Sequence, residues 1–516
     1  MLLAAVGTSA CSLLGGIDGN EYVRGTSASA GGGGTAGAGP GGAGAGGGGG
    51  FLGVGAVVLE TSGIGTVDVN DMTFFGEHVV VVGTVLGDLA LRSDSGVLQC
   101  MPLGDARAGR DWFVLDLDAA GKPTWCVIIG GPGDDDAYAV ATSAMRERIF
   151  VGGRCGDVTG VIPATTIATT PNACVIELTP GGGSAQKAAW FGTNAGENAV
   201  TALAVIDDEL VAVGHYNMQL SLFGFHSVGP DWDTCGDENV MTVGPNTQPF
   251  VVRAALAGSS CIVSPLSAPS AFVEPRAIAG TSTDDLFVAG QFFGSFTHQS
   301  GTLTSDGKDA FAANVQFGTT QYAVANAAAI GGSDIDDGTA VGVLDGTLAV
   351  AANLVGAPSI LSCPDLNSDN RGAVLALYGA ATLACNGGAE LASQSTSPAP
   401  PGPPPHVHDL VWEPAGLVVV GDITNYADMF GTDPTRILRN TTQGYVMFLE
   451  YDSPTMQLSS GRDTLFFGSE GTVTSVTAVA RAEGIVAFAG RYTGNSTAGN
   501  GEPCPGMSCG FIGFSH

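Results

Sequence analysis

Two short runs of carboxylates are the residues here whose types and spacing first suggest chemistry. Asp134-Asp135-Asp136 is one; Asp334, Asp336 and Asp337 form the other, with Glu197 at a comparable place between them. Grouped hard oxygens are what Ca²⁺ coordinates. Neither run fits the twelve-residue calcium loop, whose sixth position must be Gly and whose twelfth is Glu. An Asp ahead of a strand also has a plainer use, closing a turn by bonding its own backbone. Ca²⁺ is thus the one cofactor the sequence admits, with Asp134, Asp135, Asp136, Asp334, Asp336 and Asp337 as candidate ligands.

Other reactive groupings are sparse. His406 and His408 make an H-x-H pair after the Pro-rich stretch 398–405. Two imidazoles without a third His or a nearby Cys define little, and the pair reads as loop leading into the sixth of the repeats described below. No Ser stands in a G-x-S-x-G elbow, so no catalytic residue is assigned. Gly130-Gly131-Pro132-Gly133 lies between strands, with neither a helix N-terminus nor a Lys beside it to cradle a phosphate. Trp125 and Trp190 hold equivalent repeat positions, which suits packing between units better than stacking on a ligand.

Charge narrows the partners. Forty-nine acidic against 18 basic residues give a net charge of −31. Nucleic acid needs clustered cations and is not expected as a partner, and an anionic membrane surface would repel the acidic body itself. A strongly acidic surface keeps a protein soluble and apart from its copies, and a monomer is expected. No apolar run reads as a transmembrane helix.

The elements that must position these residues are repeats. Leu286-Phe287-Val288-Ala289-Gly290 has counterparts at 79–83, 149–153, 210–214, 348–352, 417–421 and 485–490, in steps of 61 to 76 residues. One unit repeated in this way cannot bury its apolar face alone and must stack on its neighbours. In the second copy strands are expected at 137–141, 149–153, 174–178 and 187–191, short and bounded by turn residues. Four sequential antiparallel strands make a propeller blade. The seventh copy stops after its third strand, 509–514, and residues 51–59 are free to supply its fourth. The expected fold is therefore all-β: a seven-bladed β-propeller over 51–516 whose last blade is closed by the N-terminal strand, so that no sheet edge is left for another molecule to pair with.

The strand endings Val-Ala-Gly and Val-Gly-Gly, the third strand Phe113-Val114-Leu115-Asp116-Leu117-Asp118, Trp125 and Gly130-Gly131-Pro132-Gly133-Asp134-Asp135 resemble the SBBP repeats of bacterial seven-bladed propeller proteins. That resemblance implies a secreted or surface protein and assigns no chemistry. At the other end, Thr8-Ser9-Ala10-Cys11 resembles the lipobox of bacterial lipoproteins, which implies residues 1–10 as a signal segment truncated at its start, Cys11 as the lipidation site, and a location in the cell envelope, on the outer membrane or cell surface. Residues 11–50 follow as a linker, almost pure Gly and Ala from 31 to 50. Such a chain cannot bury enough surface to order itself and has an r.m.s. reach of roughly 35 Å.

Ten cysteines remain besides Cys11. In three repeats one Cys precedes the third strand and another lies near the fourth: Cys100 and Cys126, Cys235 and Cys261, Cys363 and Cys385. Sequence does not fix connectivity, but recurrence favours these pairs, and leaves Cys155 with Cys174 and Cys504 with Cys509. Each closure would pin a long loop back over its blade's outer strand, in an oxidising compartment.

Loops between second and third strands are long and all leave one end of the blades, so binding residues are expected there, around the mouth of the axial channel. The reading is a lipid-anchored surface recognition or scaffold protein for an unknown protein or glycan ligand. The alternative is a lyase or hydrolase using acidic residues at that mouth, and a third reading is a mere spacer.

Overall fold

The computed structural model describes residues 57–515, leaving out loop positions whose longest runs are 157–171, 228–240, 356–362, 395–403, 431–440 and 495–503. Cys11, Glu197, Cys235 and Asp334 lie outside the described residues, as do positions 51–56 of the expected closing strand. Every regular element described is a strand, and no helix is long and apolar enough to cross a membrane.

Seven antiparallel sheets stand around an axis. Their innermost strands are Thr66–Phe75, Asp136–Ser143, Ala199–Ile206, Ala271–Ser282, Asp337–Leu344, His406–Glu413 and Thr474–Ala482. Each touches the next, and the last touches the first. In blade 1 the order outward is Thr66–Phe75, His78–Leu86, Arg110–Leu117 and Pro123–Ile129; the other blades follow suit. Blade 7 is completed by Val57–Thr61, which pairs with Cys509–Ser515 so that Val57 faces Ile512. The fold is the expected seven-bladed β-propeller, closed by its N-terminal strand. Blade 6 divides its outer position between Gln457–Ser460 and Leu465–Phe467, both paired with Thr442–Asp452.

The core explains the repeated pentad. Buried side chains fall into seven clusters, one at each seam between neighbouring blades. Val79 and Val81 pack toward blade 7 while Val80 and Val82 pack toward blade 2. A strand covered on both faces has no polar side, which is why it reads as an unbroken apolar run rather than an alternation. Each wholly buried Val stabilises by roughly 1.5–3 kcal/mol. Trp125, on the outermost strand of blade 1, packs into the seam with blade 2 and donates to Pro180 O at 2.5 Å.

The long loops do more than the sequence implied. Leu89–Ser93, from blade 1, adds a strand to Val57–Thr61 of blade 7. Leu222–Ser227 adds one to Ala185–Phe191 of blade 2, and Ala427–Met429 one to Cys385–Gln394 of blade 5. In all three cases the loop of one blade covers the outer edge of the blade before it, hiding unpaired N–H and C=O groups. The loop of blade 1 then returns to its own blade, where Met101–Leu103 lies parallel to Pro123–Ile129 beside the Cys100–Cys126 disulfide. Disulfides also join Cys155 to Cys174, Cys363 to Cys385 and Cys504 to Cys509. Cys261 is disulfide-bonded as well.

Candidate functional site

The candidate site is the mouth of the axial channel, and a backbone irregularity builds it. In every blade the pairing of the first two strands slips by one residue at the same point: at Asn70, Tyr138, Thr201, Arg276, Thr339, His408 and Thr477. An extra residue of this kind is unpaired in the ladder and is turned to a new direction. All seven line a single cavity of about 1010 Å³ at the end of the channel where the long loops leave. Val69, Phe272, Ile335, His215 and Asn217 complete much of its wall.

The slip also accounts for the glycine that ends the pentad. A Cβ on Gly83 would stand 2.1 Å from Asp68 O, on Gly153 2.0 Å from Asp136 O, and on Gly421 2.0 Å from His406 O. The fifth repeat ends in Ala352 instead, and there the residue opposite is Gly338: the glycine has crossed the ladder to the partner strand.

One residue outward, seven cross-strand pairs ring the mouth: Asp68 with Thr84, Asp136 with Arg154, Ala199 with His215, Glu274 with Gln291, Asp337 with Asn353, His406 with Asp422, and Ser475 with Arg491. Charge is matched locally and often across seams. Arg491 reaches Asp68 at 2.6 Å. Asp136 meets Arg110 at 3.2 Å and also Arg154. Arg276 sits between Glu274 at 3.1 Å and Asp337 at 3.5 Å. Burial still raises the Asp337 carboxyl above its ordinary range, against the pull of Arg276.

His406 and His408 belong to the innermost strand of blade 6 and line the cavity, where the sequence suggested a loop. Val407 between them faces the core, so the two rings share one side of the strand, with centroids 6.0 Å apart. Both hold Asp422, His406 at 3.5 Å and His408 Nε2 at 2.6 Å. Their hydrogen bonds and charge outweigh the burial that would raise Asp422 and hold it well below the usual carboxylate range, while the hydrogen bond to Asp422 raises His406. Ser475 Oγ lies 3.2 Å from the same Nε2 and donates to Asp422 at 2.8 Å.

Of the candidate Ca²⁺ ligands among the described residues, Asp337 alone lines the cavity. Asp135 is wholly buried and accepts from the backbone N–H groups of Gly131, at 3.1 Å, and Gly156. Asp336 is wholly buried too and accepts from Val355 N at 2.7 Å. Asp134 receives Arg110 N at 3.1 Å. The bond from Gly131 closes a turn, whereas those from Gly156, Val355 and Arg110 come from residues distant in the chain. Among the described residues no three His, Cys, Asp or Glu stand together as a metal site would require. The bulged ring and Glu274 were not foreseen; the repeated terminal glycine was the signal that could have located them.

No protein-family model matches the chain, and no curated protein matches it in sequence. Solved structures do. The WD40 β-propeller domain of Doa1 aligns over 89% of this chain and 97% of its own, with 11% identity and a TM-score of 0.40. The phage phi92 endosialidase aligns over 88% and 68%, with 7% identity and a TM-score of 0.38. The parainfluenza virus 5 hemagglutinin-neuraminidase aligns over 78% and 90%, at 7% identity and 0.31.

Proposed function

We propose that this protein is an exported propeller of the SBBP type, tethered to the bacterial envelope by a lipid on Cys11, that recognises another molecule at the channel mouth. The observation that carries the recognition reading is the convergence of seven bulged residues on one cavity at the loop-rich end. Binding residues on a rigid frame beside variable loops are what recognition uses. The tether reading draws on Thr8-Ser9-Ala10-Cys11 and on the disulfide bonding of nine of the other ten cysteines, which belongs to an oxidising compartment.

An enzyme remains the runner-up because of Asp337, whose raised pKa suits a general acid. Two features count against it. Arg276 lies between Asp337 and Glu274, and its charge pulls against protonation of Asp337. His408 meets Asp422 and Ser475 through the same nitrogen, whereas a nucleophile relay needs the two partners on opposite nitrogens.

The test is a photo-reactive diazirine side chain placed in the full-length protein at Ile335, exposed at the mouth, or at Met145, exposed in a turn at the other end. Adducts from position 335 and not from 145 are expected, with release of the protein from the membrane fraction in Cys11→Ser. Equal labelling from both positions would remove the mouth as the recognition site, and an unchanged membrane fraction would remove the tether.

A further inference from the structure

We propose that the ligand of the channel mouth is an uncharged carbohydrate, a sharpening of the recognition reading above and dependent on it. Charge is the first argument. The chain as a whole carries −31, yet the arginines at the mouth each face an anion: Arg491 and Asp68, Arg110 and Arg154 with Asp136, Arg276 with Glu274 and Asp337. A charged ligand engaging one of these arginines or its anion would have to break the pair, leaving the other member unpaired in a partly buried place. A neutral one need not.

Hydrogen bonding is the second. Thr201, Thr339 and Thr477 spend their hydroxyl hydrogens on the carbonyls of Val213, Ala351 and Val69, at 3.4, 3.4 and 2.6 Å. Asn70 spends its amide on Ala137 O at 2.6 Å. What these residues keep is acceptor capacity. Asn217 Oδ1 is buried on the cavity wall with no donor among the described residues, an arrangement that costs free energy until a donor arrives. The wall therefore asks for a ligand with many O–H donors and no net charge.

Shape is the third. Tyr138 stands among the bulged residues, and Phe272 lines the same wall with the Lys308 ammonium 4.9 Å from its ring centre. An aromatic ring offers a flat apolar face, which matches the C–H face of a pyranose. At about 1010 Å³ the cavity is at the upper end for small-ligand pockets, room for an oligosaccharide rather than a single ring.

The full-length protein, fluorescently labelled, is applied to an array printed with neutral oligosaccharides of glucose, galactose, mannose and N-acetylglucosamine, with sialylated and uronate-bearing glycans, and with oligolysine. Binding to one or more neutral oligosaccharides is expected, weakened roughly 3- to 10-fold in Tyr138→Ala by loss of the stacking face and retained in Tyr138→Phe, which keeps the ring and reports on folding. Binding to acidic glycans or oligolysine alone, lost in Tyr138→Ala, overturns the carbohydrate assignment and leaves recognition at the mouth standing. No binding anywhere, or binding that ignores both Tyr138 variants, overturns the assignment together with the site.

Discussion

Replacing two aspartates with asparagine should flatten the protein's stability against pH. The residue after each bulge is Ala139, Ala202, Ala277, Ala340 or Ala478 in five blades, but Asp71 in blade 1 and Asp409 in blade 6. Asp71 accepts the N–H of Met72 and, across the seam, that of Val140, both at 2.7 Å. Asp409 does the same with Leu410 at 2.8 Å and Val479 at 2.9 Å. Burial, with some repulsion from Asp409, lifts Asp71 from 3.8 to about 8, and burial lifts Asp409 to about 7. A carboxyl whose folded pKa is raised binds more protons folded than unfolded between the two values. Its contribution is complete below pH 3.8 and is lost as pH rises through about 8 for Asp71. Each pH unit in that window costs about 1.4 kcal/mol per group, a ceiling of about 4 kcal/mol for Asp71 between pH 5 and 8. Both residues are half-buried rather than wholly enclosed, so solvent screens them in part and a combined loss on the order of 2–4 kcal/mol is expected. In Asp71→Asn/Asp409→Asn the absolute stability falls by about 1–3 kcal/mol per site, because each amide offers one acceptor where two N–H groups ask for one each. The informative quantity is the slope. Urea midpoints at constant m-value across pH 5 to 8 should fall in the wild type and change much less in the double variant. Equal slopes in the two proteins would refute the reasoning.

Other perturbations test other parts of the structure. Replacing Cys363 and Cys385 by Ala reopens a closure of 22 residues and should lower the urea midpoint by the equivalent of about 3 kcal/mol, the same shift that reductant causes at this bond. Gly421→Ala drives a Cβ to 2.0 Å from His406 O and 2.6 Å from the Tyr445 hydroxyl; a loss of about 1–3 kcal/mol is expected, with displaced His406 and His408 ring resonances in the proton NMR spectrum. Deleting the chain through Thr61 uncovers the Cys509–Ser515 edge of blade 7, and light scattering should then find oligomers formed by edge pairing.

The ring was legible in the sequence because packing against both faces leaves a mark that composition carries: Val79 to Val82 are apolar without a break, and so are their counterparts. Two disulfides, Cys100–Cys126 and Cys363–Cys385, were legible because the repeat put cysteines at equivalent places, and Cys155–Cys174 and Cys504–Cys509 followed as the remainder. The site was less so. A one-residue slip in a ladder has no composition of its own, so Asn70 or Thr339 could not be told from any surface residue. Arg276 and Glu274 flank Pro275, which interrupts the strand pattern of blade 4 while sitting at the slip, where a missing N–H does no harm. His406 and His408 read as loop because eight residues rich in Pro lead into them. The aspartates misled in the opposite direction: in a linear reading Asp135 and Asp337 are alike, and only the fold separates the one that holds backbone N–H groups from the one that lines the cavity.

The bulge and the terminal glycine together separate what the fold needs from what the mouth presents. The second strand meets the inner strand's carbonyl so closely that a side chain there is excluded, as the 2.0 Å approach at Gly421 illustrates; that constraint belongs to closure of the ring. The bulged residue beside it points into the lumen and takes no part in the seam clusters. Asn, Tyr, Thr, Arg and His all occupy it on the same backbone. Exchanging those seven side chains therefore changes the surface at the mouth without touching the apolar contacts that hold one blade to the next, although Asn70 and Thr477 also bond backbone carbonyls of the neighbouring blade. Such a surface favours binding over proton transfer, because its ionisable members are already fixed in pairs that a reaction would have to break.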